Sequence, residues 1–167
     1  MTGSLGHIKP WWGNEFKELD YKYLPHPDDS MVPAWEQQGY TNMNLNGAVC
    51  PLYDTPLEVF QQFHKAFPWA NTGIAAYKMN TGDILPVHSD HYMSYRRVFN
   101  LLKNETIYRA IVFLEDWKSG HYFEIDSHPI TNWKKGDYAF WSGEVPHMAA
   151  NIGIEPRYTL QVTGMKP

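Results

Sequence analysis

Four side chains in the second half of the chain are of types that can do chemistry together: His88, Asp90, His147 and Arg157. His88-Ser89-Asp90 is an H-x-D pair. His147 follows far downstream in a Pro-His step, and Arg157 stands ten positions beyond it, two before Thr159. Two imidazoles and one carboxylate can hold one face of a ferrous ion and leave three positions open for small molecules. An arginine one strand past the last histidine can grip a carboxylate through two parallel hydrogen bonds. Residues two apart on an extended segment point the same way, so His88 and Asp90 share a side, and so do Arg157 and Thr159. Each has a plainer reading alone: H-x-D is common in surface loops, and a single arginine usually meets a surface carboxylate. The full set at these offsets argues for one site.

The elements that must position these residues are mostly strands. Residues 1–54 carry Pro10, Pro25, Pro27, Pro33 and Pro51, with short helical or irregular stretches between them and a turn-rich loop at 42–47. A helix is expected from Thr55 as N-cap and Pro56 at its first position, through Leu57, Phe60, Phe63 and Phe67, with Pro68 ending it. Strands are then expected at 74–79, 84–88, 107–114, 120–125, 129–133, 138–141, 146–151 and 157–163, separated by turns such as Asn80-Thr81-Gly82-Asp83 and Lys134-Lys135-Gly136-Asp137. About eight short strands behind N-terminal helices predict a mainly β protein. The expected form is a double-stranded β-helix, a jelly-roll or cupin-like barrel, with supporting helices. One domain is expected, with residues 1–72 as support and 73–164 as barrel. In such a barrel, residues distant in sequence meet at one open end.

At these residues the chain resembles the 2-oxoglutarate- and iron(II)-dependent oxygenases, over residues 73–163. Trp133-Lys134-Lys135-Gly136-Asp137-Tyr138-Ala139-Phe140-Trp141, then Glu144-Val145-Pro146-His147 and Asn151, is similar to that family's segment around its second histidine. Among subfamilies it looks closest to aspartyl/asparaginyl and prolyl hydroxylases. The resemblance implies Fe(II) on His88, Asp90 and His147, with 2-oxoglutarate and O2 as cosubstrates. The far carboxylate of 2-oxoglutarate would pair with Arg157, helped by Thr159 and a tyrosine from a facing strand. Tyr77 is the first choice for that tyrosine, ahead of Tyr108 and Tyr122. The implied reaction hydroxylates a C–H bond and releases succinate and CO2. With Asp90 present, halogenation is disfavoured.

Other residues divide between roles and plainer readings. Asn151 is expected to orient His147, one of Phe140 and Trp141 to pack beneath the metal, and residues 92–102 to border the substrate. His91 should point away from Asp90. His121 and His128 lie on or near strands; His121 is either a partly exposed strand histidine, the plainer reading, or a contact for cosubstrate or substrate. His7, His26 and His64 suggest no role. Trp11-Trp12 is either buried in an N-terminal helix or a lid. Arg96, Arg97 and Arg109 are spare cations, solvated or able to meet an acidic substrate group.

The 167 residues suit one domain, with 43 % hydrophobic and 16 % aromatic residues, enough for a ring-walled core. A net charge of −4 gives no global reason for nucleic-acid binding. Cys50 is the sole cysteine, which excludes an internal disulfide and a cysteine-built zinc site. No apolar run reaches a membrane span and no signal peptide is evident, so a soluble cytoplasmic protein is expected. The expected substrate is a peptide or protein side chain or a free amino acid or small metabolite, with a nucleobase less favoured. Oligomeric state is unreadable. Rival readings are a zinc hydrolase, which lacks the helical H-E-x-x-H signature here, and a non-enzymatic ligand-binding barrel, which leaves Arg157 without a task. A different 2-oxo acid, or none, is a third.

Overall fold

The chain crosses repeatedly between two antiparallel sheets. The computed structural model describes residues 3–24, 31–40, 47–102 and 104–167; all of the loop expected at 42–47 except Gly47, and the residues Pro25, His26 and Pro27, lie outside these. The strands are β1 (Gly3–His7), β2 (Ala48–Pro51), β3 (Ala70–Met79), β4 (Ile84–His88), β5 (Ile107–Phe113), β6 (His121–Ile125), β7 (His128–Ile130), β8 (Asp137–Ser142), β9 (His147–Asn151) and β10 (Arg157–Met165). The helices are α1 (Val32–Gln37), α2 (Glu58–Gln61) and α3 (Met93–Val98), with 3₁₀ turns at Glu15–Glu18 and Gln62–Lys65. One sheet has the order β1-β8-β5-β10-β3-β2 and the other β4-β9-β6-β7. From β3 onward the chain switches sheets at every step except β6 to β7. This is the double-stranded β-helix, or jelly roll.

All eight expected strands form, with shifted ends. The strand expected at 129–133 stops at Ile130, because Asn132 takes a left-handed conformation (φ 57°) and turns the chain. The last strand runs on to Met165 past an irregularity between Thr163 and Met165. Two strands correct the helical or irregular reading of the N-terminal part. β1 pairs with β8 from Gly3↔Trp141 to His7↔Asp137, and β2 pairs with β3. Gly-Ser-Leu-Gly-His has little strand propensity of its own. Its glycines suit the position because a Cβ at Gly6 would collide with the Tyr138 ring. The predicted helix starts at Glu58 rather than Pro56, and Leu57 is exposed. Thr55 still acts locally, its Oγ1 accepting the Leu57 N–H at 3.3 Å.

Two apolar layers sandwich the larger sheet. Outside it, Trp12, Phe16, Phe60, Phe63 and Phe67 pack on Tyr158, Leu160 and Val162. Inside the barrel, Met79, Ile111, Phe113, Phe123 and Trp141 form a second cluster. Strand β10 therefore alternates as its sequence does: Tyr158, Leu160 and Val162 face the helical layer, while Arg157, Thr159, Gln161 and Thr163 line the interior cavity. Trp11 and Trp12 belong to the outer layer, in irregular chain before the first 3₁₀ turn. Their rings lie 4.6 Å and 5.0 Å from that of Phe63, and Trp12 Nε1 donates to the Leu114 carbonyl at 2.9 Å. They are not a lid. No helix among the described residues is long and apolar enough to cross a membrane.

Phe63 is fully buried at the centre of the outer layer. Phe63→Ala should lower stability by about 3–5 kcal/mol. A shift of the urea unfolding midpoint at unchanged slope would record it.

Candidate metal centre and anion pocket

His88 ends β4 and His147 begins β9, and the two are direct cross-strand partners. Their rings lie 4.2 Å apart. Both are buried and both are oriented in the same way. His88 Nδ1 donates to the Pro86 carbonyl at 2.8 Å, and His147 Nδ1 donates to the Val145 carbonyl at 2.9 Å. A carbonyl only accepts, so the proton sits on Nδ1 and each Nε2 carries the lone pair that a metal uses. Asp90 lies just past β4. Its carboxylate is 3.9 Å from His88 Nε2 and 3.3 Å from His147 Nε2. One donor atom from each of the three lies within 4.8 Å of the others. Two aligned imidazole nitrogens and one carboxylate oxygen at this spacing fit a single divalent metal ion. Neighbouring rings hold the histidines in place: Trp141 lies 4.8 Å from His147, and Trp35 of α1 meets His88 edge-on at 5.7 Å.

Asp90 also accepts a hydrogen bond from Arg109 Nη1, on β5. Burial alone would raise the Asp90 pKa. The Arg109 guanidinium, then His147 and His88, outweigh burial and hold it down to about 2. The carboxylate is thus ionised at neutral pH, as a metal ligand must be. In the sequence, Arg109 stands as one of three spare cations. Its side chain lies over the Tyr92 ring at 4.8 Å. Of the other two spare cations, Arg96 is tied to the Leu102 and Glu105 carbonyls, and Arg97 is exposed.

Arg157 opens β10 and is 3 % exposed. Its guanidinium sits among the rings of Phe113, Phe123 and Trp133, at 6.0, 5.7 and 5.6 Å. Nη1 reaches only the Met79 sulfur, at 3.1 Å, and Nε is buried with no partner. No described carboxylate forms an ion pair with it. Burial pulls its pKa down to about 9, which leaves it charged at neutral pH. A buried cation with no anion beside it among the described residues is costly, and such a position can accept one. Thr159 is its neighbour on the same face, and Tyr77 is the cross-strand partner of Thr159. Burial pushes the Tyr77 phenol up to about 12, so it remains a hydrogen-bond donor. One cavity of about 310 Å³ is lined by all six residues singled out in the sequence: His88, Asp90, His147, Arg157, Thr159 and Tyr77.

Other expectations fare unevenly. Tyr92, Tyr95 and Phe99, from the stretch around α3, border the cavity as expected. Trp141 is the ring that packs by His147, while Phe140 joins the outer layer. His91 points to Glu144 at 3.2 Å, away from Asp90. His121 is not partly exposed: it is 2 % exposed, faces the Glu155 carbonyl at 3.0 Å and stacks near Trp133. Asn151 bonds to the Met79 and Glu155 carbonyls and to the Gly153 N–H, so it ties loops together rather than orienting His147. Tyr108 stacks on Trp69 and Tyr122 bonds Glu124; neither lines the cavity. The sequence held no signal for Trp35, whose contact is set by tertiary packing.

No protein-family model and no curated protein sequence matches the chain. Solved structures do. A prolyl-4-hydroxylase of Pseudomonas putida superposes with a TM-score of 0.62 at 12 % identity, over 99 % of this chain and 93 % of that one. A predicted oxalate decarboxylase of Thermotoga maritima gives 0.46 at 16 % identity, over 73 % and 87 %. The cupin domain of Cnp3 from Schizosaccharomyces pombe gives 0.45 at 11 % identity, over 71 % and 64 %. The first of these aligns along nearly the whole length of both chains.

Arg157→Met should stabilise the metal-free protein by ~1 kcal/mol or more, read as a higher urea midpoint, because it removes a buried charge that no described residue offsets. A midpoint below that of the unaltered protein would mean that the guanidinium is already compensated.

Proposed function

We propose that this protein is a 2-oxoglutarate- and iron(II)-dependent dioxygenase. It hydroxylates a C–H bond of a peptide or protein side chain or of a free amino acid. Substrate, O2 and 2-oxoglutarate give the alcohol, succinate and CO2. The observation that carries this reading is Arg157: a buried, uncompensated guanidinium in the same cavity as a histidine–aspartate–histidine set. A zinc hydrolase needs no such cation.

His88, Asp90 and His147 would hold the iron through two Nε2 atoms and a carboxylate oxygen. Iron bound there would supply activation of O2, coupled to oxidative decarboxylation of 2-oxoglutarate. The remaining work belongs to the chain. Arg157 grips the far carboxylate of 2-oxoglutarate, with the Thr159 hydroxyl and the Tyr77 phenol beside it. The Pro86 and Val145 carbonyls lock the tautomers of His88 and His147, so that no proton competes for Nε2. The aromatic lining keeps water from the reacting groups.

Adding 2-oxoglutarate anaerobically to the ferrous protein should produce a weak visible charge-transfer band. Arg157→Ala should raise the 2-oxoglutarate needed for that band by ~30-fold or more, with iron binding retained. His147→Ala should weaken iron binding by more than ~100-fold and abolish turnover. No band in the unaltered protein, with zinc bound instead or no metal at all, would point to the hydrolase or to the ligand-binding barrel.

A further inference from the structure

Among the described residues, the ionised side chains lining the interior of the cavity are Asp90, Arg109 and Arg157; His91 lines its mouth, against Glu144. These described lining residues together carry one net positive charge. A divalent metal and a dicarboxylate cancel each other, so the loaded cavity keeps that charge. Its place follows from the pairing. The far carboxylate of the cosubstrate answers Arg157. At the metal end, two positive charges on the ion meet one negative charge from Asp90 and one from the near carboxylate, and Arg109 is left over.

Arg109 is built as a contact rather than as a solvated side chain. Its side chain is 12 % exposed, and Nε is buried without an acceptor. One face rests on Tyr92, whose hydroxyl donates to the Gly143 carbonyl at 2.8 Å. Tyr92 holds this position in a left-handed conformation (φ 54°), which is uncommon for a non-glycine residue. Arg109 is also the cross-strand partner of Thr163, and Gln161 and Thr163 continue the inward face of β10 past Thr159. The walls above are apolar and aromatic: Tyr53, Tyr95, Val98 and Phe99. Asp90 is the described partner of Arg109, and a metal on Asp90 would share that carboxylate, so low dielectric around the guanidinium then favours an incoming anion.

We infer that the substrate presents a carboxylate to Arg109, beside the metal, and seats an apolar body against these walls. This rests on the oxygenase reading and narrows its substrate class to acids. The carboxylate can belong to a free acid or to an acidic side chain on a peptide. Arg109 then has two duties, anchoring Asp90 and receiving the substrate.

The test is isothermal titration of the protein loaded with Mn(II) and 2-oxoglutarate, which binds without turnover. The probes are benzoate against benzamide, and acetylated, methylamidated glutamate against its glutamine counterpart. Within each pair shape is kept and charge is not. At least one acid should bind about tenfold or more tighter than its amide, and Arg109→Gln should bring that pair within about twofold. The pair with the larger preference names the source of the carboxylate. Arg109→Lys, which keeps the charge, should retain part of the preference and serves if the glutamine variant does not fold. Equal binding of acid and amide in the unaltered protein would overturn the inference. So would a preference that survives Arg109→Gln, since it would come from the metal alone. The first titrations, of Mn(II) and of 2-oxoglutarate, separate the two levels. If both bind and no acid is preferred, only the inference falls. If neither binds, the oxygenase reading falls and the inference with it.

Discussion

Direct pairing of His88 with His147 across β4 and β9 sets the geometry on which the site depends. Both strands belong to the smaller sheet, and β9 lies between β4 and β6. A register slip of one residue would turn a histidine out of the barrel and an aliphatic neighbour in. The pairing is irregular between Leu85 and His88. Such a break re-aims side chains at the end of a strand. It brings His88 level with His147 and lets Asp90, two residues on, swing toward both. The carbonyls of Pro86 and Val145, each two residues before its histidine, then fix both rings through the same local bond.

Charge governs the rest of the cavity. Arg109, Asp90 and Arg157 all lie where water is scarce, so each needs a partner. Asp90 and Arg109 supply each other, and the histidines add to the field that keeps the carboxylate ionised. Arg157 meets aromatic faces and a sulfur, and no described carboxylate pairs with it. Cation–π contact lessens its desolvation but does not replace an anion. Among the described residues, the interior thus holds one ion pair and one further buried cation.

The N-terminal part serves this interior from outside. Its aromatic residues cover the outer face of the larger sheet, so β10 can be apolar on one side and polar on the other. Without that layer, Tyr158, Leu160 and Val162 would face water, and the strand that carries Arg157 would lose its anchor. The same part of the chain sends Trp35 to the far side of the site, against His88. Support and site are thus continuous, although the N-terminal sequence carries no recognisable motif.

Spacing and alternation pointed to the four principal residues and determined the strand series and the inward face of β10. The reason is physical: strand geometry has a period of two, and ligand sets are written in residue types that have few other uses together. What only the tertiary structure decided are the partnerships between elements. Arg109 looks like any strand arginine until β5 is laid beside β10 and the end of β4 approaches it. His121 and Asn151 change from exposed or metal-orienting residues to buried ties because loops close over them. Strands β1 and β2 exist because β8 and β3 offer them edges, not because their residues favour extension. Partnerships of this kind depend on hydrogen bonds and charges separated by up to a hundred residues and more, and no local pattern in the chain encodes them.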